Sequence, residues 1–271
     1  MFDEVIQLTG KSAGPVSVIL AGVHGNERCG LTAFAELLPD LQIDCGQVFF
    51  IYGNPRAIEI NRRYFEVNLN RLFCDDNRLT EQELTSYEYG RAQFLKKYLD
   101  QAEVLLDLHG SYSVASQPFA ICEANAERIV SQLPIEKVVS GFDEIQPGGT
   151  DAYMNNIGKI GLCVECGLLT KPQAAVVAKE VIMAFLQARG HLIGQASLKR
   201  QEWLNIYQLY KTKTNNFYLA QDWPDFAEVK AGQLIGYDGE AAIRAVEDSF
   251  ILFATERQKI GEEAFILGRK V

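Results

Sequence analysis

The residues best suited to chemistry are His24 and Glu27, within Val23-His-Gly-Asn-Glu27, and His109, which closes the run Glu103-Val-Leu-Leu-Asp-Leu-His109. An imidazole and a carboxylate three residues apart on a strand-to-helix turn can reach one point. Together they offer two of the three protein ligands that an open zinc site needs. The same pair also reads as a turn histidine beside a helix-start acid, favoured there by the helix dipole. If the strands ending at His24 and His109 are neighbours, both imidazoles enter one crevice with Glu27. Two histidines and one carboxylate leave a fourth metal position for water. Asp107 lies two positions before His109, on the same side of a strand, where it could orient the ring or simply cap a turn. The third histidine, His191, follows a helix end at Gly190 and reads as a surface or hinge residue.

A base is also required. Glu165 ends the otherwise apolar Leu162-Cys-Val-Glu, and burying an unpaired carboxylate is costly unless it has a task or a partner. It reads either as a general base or as half of a salt bridge to an arginine. Between residues 56 and 72, Arg62, Arg63, Tyr64, Asn68, Asn70 and Arg71 fall within ten positions. Arginine forks suit a carboxylate or a developing oxyanion, so this stretch is either an anion-binding loop or a solvated face. Cys163-Val-Glu-Cys166 is a lone C-x-x-C with no histidine near it in sequence, and it reads as two core cysteines.

The elements that must position these residues follow from pattern. Val16 to Leu20 is a buried strand running into Gly22, Gly25 and Gly30, the marks of a sharp turn into a helix at about 31–38. Gln47 to Gly53 is a second strand, and Glu103 to His109 a third. Thr80-Glu-Gln-Glu83 is a capping box expected to open a helix reaching about Leu99. Shorter strands are expected at 118–122 and 137–140, with a helix at about 125–133 between them, and residues 146–158 read as an irregular loop. Ile160 to Glu165 is a further strand, and Thr170-Lys-Pro-Gln173 is expected to cap a helix ending at Gly190. Alternating strands and helices imply an α/β fold: a mostly parallel, mixed sheet flanked by helices, with binding sites at the carboxyl ends of strands. After about residue 198 the helical pattern stops, and Tyr237-Asp-Gly239 signals a hairpin. The expected organisation is an α/β domain over 1–197 and a smaller C-terminal β domain over 198–271.

With 35 acidic residues against 26 Lys and Arg, the net charge of −9 disfavours nucleic acid and anionic membranes as main partners. No apolar run reaches the roughly 18 residues of a membrane span, and Met1-Phe-Asp-Glu lacks the basic start and apolar core of a signal peptide. The six cysteines lie mostly in apolar segments and read as reduced core residues, so a cytoplasmic setting is expected.

Taken together, Gly22-Val-His24-Gly-Asn-Glu27, Asn54-Pro-Arg-Ala, Arg62-Arg63-Tyr, Asn68-Leu-Asn70-Arg71, Asp107-Leu-His109 and Val164-Glu165-Cys-Gly resemble the succinylglutamate desuccinylase/aspartoacylase family in order and approximate spacing. That family belongs with the zinc carboxypeptidase-like hydrolases. The motifs span residues 16 to about 170, and Gly261-Glu-Glu-Ala-Phe-Ile-Leu-Gly-Arg269 looks like the family's C-terminal β domain. The resemblance implies one Zn²⁺ per chain bound by His24, Glu27 and His109, with Glu165 as general base. It further implies that Arg63 polarises the scissile carbonyl and that Asn70 and Arg71 hold a substrate carboxylate. The implied activity is deacylation of a small N-acyl amino acid, with the oligomeric state open, a homo-oligomer included.

Two departures limit the substrate. The aspartoacylase pattern has an acid where this chain has Asn68, and an arginine about ten residues before the base where it reads Met154-Asn155-Asn156. Neither N-acetylaspartate nor succinylglutamate is therefore marked out, and the acyl group stays open. The rival readings are a zinc carboxypeptidase acting on short peptides and a catalytically silent metal- or metabolite-binding homologue.

Overall fold

The Val18 to Ala21 run is continuous rather than alternating because both of its faces are covered. Val18 and Leu20 pack with Leu69, Phe73 and Leu95, while Ile19 and Ala21 pack with Phe34, Ile182 and Phe185. Each large apolar side chain buried in this way contributes about 1.5–3 kcal/mol. The computed structural model describes residues 4–113, 116–194 and 200–271, and everything below refers to those residues.

The strands are β1 (Val5–Thr9), β2 (Ser12–Ala21), β3 (Cys45–Tyr52), β4 (Val104–Ser111), β5 (Phe119–Cys122), β6 (Lys137–Ser140), β7 (Ile160–Leu168), β8 (Glu202–Lys211), β9 (Phe217–Leu219), β10 (Ala227–Val229), β11 (Leu234–Asp238), β12 (Ala241–Arg244), β13 (Ser249–Leu252) and β14 (Glu263–Lys270). Eleven of them form one mixed sheet in the order β1-β3-β2-β4-β7-β5-β6-β8-β14-β13-β10, and β12-β11-β9 form a small antiparallel sheet. The central strands β3, β2, β4 and β7 run parallel. The helices are α1 (Cys29–Leu37), α2 (Pro55–Glu59), α3 (Glu81–Leu84), α4 (Tyr87–Leu99), α5 (Glu127–Val130), α6 (Phe142–Ile145), α7 (Thr150–Asn156) and α8 (Gln173–Ala188). Residues of α1 and α8 share one core, and those of α4 share the core on the other face. No helix among the described residues is long and apolar enough to cross a membrane.

Several local expectations are corrected. The capping box at Thr80 forms, but it opens only the four-residue α3. Ser86 then accepts a hydrogen bond from the Tyr89 N–H at 3.1 Å and starts α4 afresh, so the segment to Leu99 is two helices. The 125–133 helix shrinks to a 3-10 turn and α5. The 146–158 stretch is not irregular, since α7 begins directly after Gly149. Thr170 does not cap α8, whose first turn follows Pro172 without a side-chain cap. His191 is fully buried, with Nδ1 2.9 Å from Cys45 O and Nε2 2.8 Å from Ser17 Oγ, rather than at the surface. The boundary expected between 197 and 198 lies outside the described residues. Beyond it β8 pairs in parallel with β6, so strands from the last third of the chain extend the main sheet.

Candidate metal and catalytic site

The turn after β2 carries Gly22 at φ +71° and then Gly25, where a Cβ would sit 2.1 Å from the carbonyl carbon of Ala57. Only glycine lets α2 come this close, and the approach turns His24 and Glu27 toward the end of β4. In the parallel register Ala21 lies opposite Leu108, and His109 lies opposite Glu165 on β7. Three neighbouring carboxyl ends thus deliver the expected groups to one place.

Glu27 is the centre of the cluster. Its Oε1 lies 2.8 Å from His24 Nδ1 and its Oε2 lies 2.9 Å from His109 Nδ1, while the two Nδ1 atoms are 3.2 Å apart. The Gly110 N–H and Arg63 Nη1 also donate to Glu27, at 3.1 and 3.0 Å. All three residues are buried, and their ligand-type atoms lie within 4.8 Å of one another.

The electrostatics show what this point attracts. Burial lowers the His24 pKa to about 4, against the pull of Glu27. Burial alone would lower His109 too, but Asp107 and Glu27 outweigh it and hold the ring well above its usual value. Glu27 would be raised by burial, and the two imidazoles instead keep it well below the carboxylate range. A buried spot that gathers a proton between two carboxylates suits a cation. The donor set of two imidazole nitrogens and one carboxylate suits zinc or a related transition ion.

Behind the ligands stands a ring of supports. Asp107 Oδ2 lies 3.1 Å from His109 Nε2 and accepts from Thr150 Oγ1 at 2.6 Å. Asn68 Oδ1 lies 3.1 Å from His24 Nε2 and accepts from the Asn70 N–H at 3.1 Å. Glu88, fully buried on α4, accepts from the N–H groups of Phe65, Glu66 and Val67 and so moulds the loop after Arg63.

Glu165 faces the same cavity, a space of about 820 Å³. Among the described residues it makes no salt bridge and its Oε2 has no partner, and burial, reinforced by the Glu27 carboxylate, pushes its pKa up to about 8. Arg63, Asn70 and Arg71 also line the cavity. Arg63, half exposed, is paired with Glu27, and Arg71 is held by Glu263 at 3.1 Å and by Asn70 O at 2.7 Å. Asn70 Oδ1 accepts from the Thr150 N–H at 3.2 Å. Asn155, in the stretch where the aspartoacylase pattern has an arginine, bonds Asn125, Gly161 and Asp143.

Sequence reasoning missed three contributors. Thr150 and Asp151 arrive on α7, within the stretch read as a loop; Asp151 lines the cavity with its pKa raised by burial and Asp143 to about 6. Arg257 lines it as well, its Nε donating to Glu263 O at 2.7 Å, and nothing near it in sequence marks it. Its strand-like backbone bridge to Phe217 fixes it in place.

Fold and site together define an α/β protein with a mixed, centrally parallel sheet and a buried His-Glu-His group, a possible metal site, at the carboxyl ends of its strands. Residues 13–189 match the family described as the succinylglutamate desuccinylase/aspartoacylase catalytic domain, and the chain belongs to that family of hydrolases. Succinylglutamate desuccinylase of Vibrio cholerae is 25% identical over 293 aligned positions, covering 99% of this chain and 84% of that protein. A Nostoc sp. protein named "Probable aspartoacylase" is 28% identical over 166 residues, covering 56% of this chain and only 55% of its own length. The crystal structure of a Vibrio cholerae succinylglutamate desuccinylase superimposes with a TM-score of 0.82 at 20% identity, covering 99% of this chain and 86% of that one.

Proposed function

We propose that the protein is a zinc-dependent amidohydrolase that removes the acyl group from a small N-acyl amino acid. The convergence of His24, Glu27 and His109 beside an unpaired Glu165 carries this reading. These three residues would hold one Zn²⁺, which when bound acidifies water and polarises a carbonyl oxygen. Glu165 takes a proton from the attacking water and returns it to the amide nitrogen as the C–N bond breaks, leaving a carboxylic acid and a free amine. A raised pKa suits a group that must accept and release a proton near neutrality. The Arg63 guanidinium stabilises negative charge developing on the carbonyl oxygen, and Asn70 and Arg71 hold the substrate carboxylate.

A bounded cavity supports a small substrate over a peptide, because Phe253, Arg257 and Phe265, from the last third of the chain, form part of its wall. Six free cysteines fit a reducing, cytoplasmic setting. The test is a hydrolysis screen of N-acyl amino acids and dipeptides with the Zn²⁺-loaded protein, with Glu165→Ala as the blank. Turnover of acyl amino acids that disappears in the blank is expected. Faster turnover of longer peptides, or no turnover of any compound, would overturn the proposal.

A further inference from the structure

The two ligand histidines are backed differently. Behind His109 stands a carboxylate, Asp107, and behind His24 stands an amide, Asn68. The Asn68 atom facing His24 also receives the Asn70 N–H, and a backbone N–H can only donate, so that atom is the oxygen. An oxygen cannot donate to the ring, so a hydrogen bond between the two requires the proton on His24 Nε2. In a neutral imidazole that proton leaves the lone pair on Nδ1, which lies 3.2 Å from His109 Nδ1; the Glu27 carboxylate, 2.8 Å from Nδ1, is the rival acceptor that Asn68 must outcompete for the ring proton.

We propose that Asn68 is a positioning residue that fixes the tautomer of His24 for metal binding and, being neutral, keeps the site's metal affinity below what a carboxylate there would give. A carboxylate acceptor makes a ligand histidine more basic, and such outer partners change metal affinity by about 10–100-fold. The charge balance points the same way. Glu27 and Asp107 are the acids in contact with the ligand histidines, and Arg63 offsets one of them at 3.0 Å. This inference rests on the metal reading of His24, Glu27 and His109.

The test is competition between the purified full-length protein and a chelator for Zn²⁺, alongside long-range ¹H–¹⁵N spectra of the ring nitrogens of the metal-free protein, which has only three histidines. Asn68→Asp keeps both contacts and adds charge, and should bind Zn²⁺ about tenfold more tightly. Asn68→Ser keeps a hydroxyl to cap the Asn70 N–H but is too short to reach His24, and should bind about tenfold more weakly. That contrast separates loss of the cap from loss of the histidine contact. His24 should show the Nε2–H pattern in the parent protein and lose that preference in Asn68→Ser. Equal affinities within twofold across the three proteins, or an Nδ1–H pattern in the parent, would overturn the assignment. Failure of the parent to take up Zn²⁺ would instead overturn the metal reading, and the ring-nitrogen pattern would still decide whether Asn68 sets the tautomer.

Discussion

Thr150→Val is the sharpest probe of how this fold supports its site. Valine matches threonine in shape, so the change removes one hydroxyl and little else. That hydroxyl donates to Asp107 Oδ2 at 2.6 Å, with Thr150 and Asp107 both buried, and Asp107 Oδ1 has no partner of its own. The variant would leave a fully buried carboxylate with only the His109 ring beside it. A hydrogen bond to a charged group is worth about 1.5–3 kcal/mol, and its loss from a buried acceptor falls toward the upper end. Urea unfolding of chelator-treated protein should show that loss, and Thr150→Ser, which keeps the hydroxyl, should recover most of it. Chelation matters because a bound ion would add its own stabilisation to both proteins. Asp107 also orients His109, so the valine variant should in addition bind Zn²⁺ about tenfold less tightly. A valine variant within about 0.5 kcal/mol of the parent and with unchanged Zn²⁺ affinity would refute the view that α7 buttresses the site.

Two further outcomes follow from buried or unclaimed charge. His191 has its pKa lowered from 6.5 by burial, with Arg189 adding to the effect, so the unfolded chain takes up that proton first. Its contribution to stability is therefore complete above about pH 6.5 and declines as the pH falls, with a slope no steeper than about 1.4 kcal/mol per pH unit. Relative to His191→Asn, the parent should lose stability between pH 7 and 5, and parallel pH profiles in urea unfolding would contradict this. Arg257→Met should raise the KM for N-acyl amino acids about tenfold and leave kcat within about twofold, as expected when a charged contact of roughly 1.4 kcal/mol between this cavity-lining guanidinium and the bound substrate is lost; an unchanged KM would remove Arg257 from substrate binding.

The parts of this molecule that were legible in the sequence are those where one physical rule dominates. Apolar runs closed by glycine gave the central strands, and with them the placing of His24, His109 and Glu165 at adjacent strand ends. The α7 helix was hidden because it is short and its two ends hold glycine and asparagine; its formation is tied to tertiary bonds, Thr150 to Asp107 and to Asn70. The burial of His191 was hidden for a related reason, since its partners Ser17 and Cys45 lie more than 140 positions away. Glu88 was not marked out at all, because the single helix expected over 80–99 placed it mid-helix; it stands instead in the first turn of α4, and its carboxylate accepts from the loop after Arg63. Periodicity reports burial on one element. It does not report which distant backbone that element must satisfy.

The continuity of the large sheet bears on how the cavity is bounded. The metal-type ligands belong to segments before residue 110, whereas Phe253, Arg257, Glu263 and Phe265 come from segments after 250. Had those later segments been joined to the rest by a linker alone, the distance between ligands and wall would depend on a hinge. Instead β7 bonds to β5, β5 to β6, β6 to β8 and β8 to β14, so the wall is joined to the ligand strands by successive hydrogen-bonded ladders. Arg71 to Glu263 and Gln146 to Glu263 add side-chain ties across the cavity itself. Hydrogen-bonded neighbours in a sheet lie about 4.8 Å apart and slide little without breaking several bonds at once. The position of this wall relative to the ligand-bearing strands is therefore set by the sheet, and the shape of the cavity by the side chains that line it.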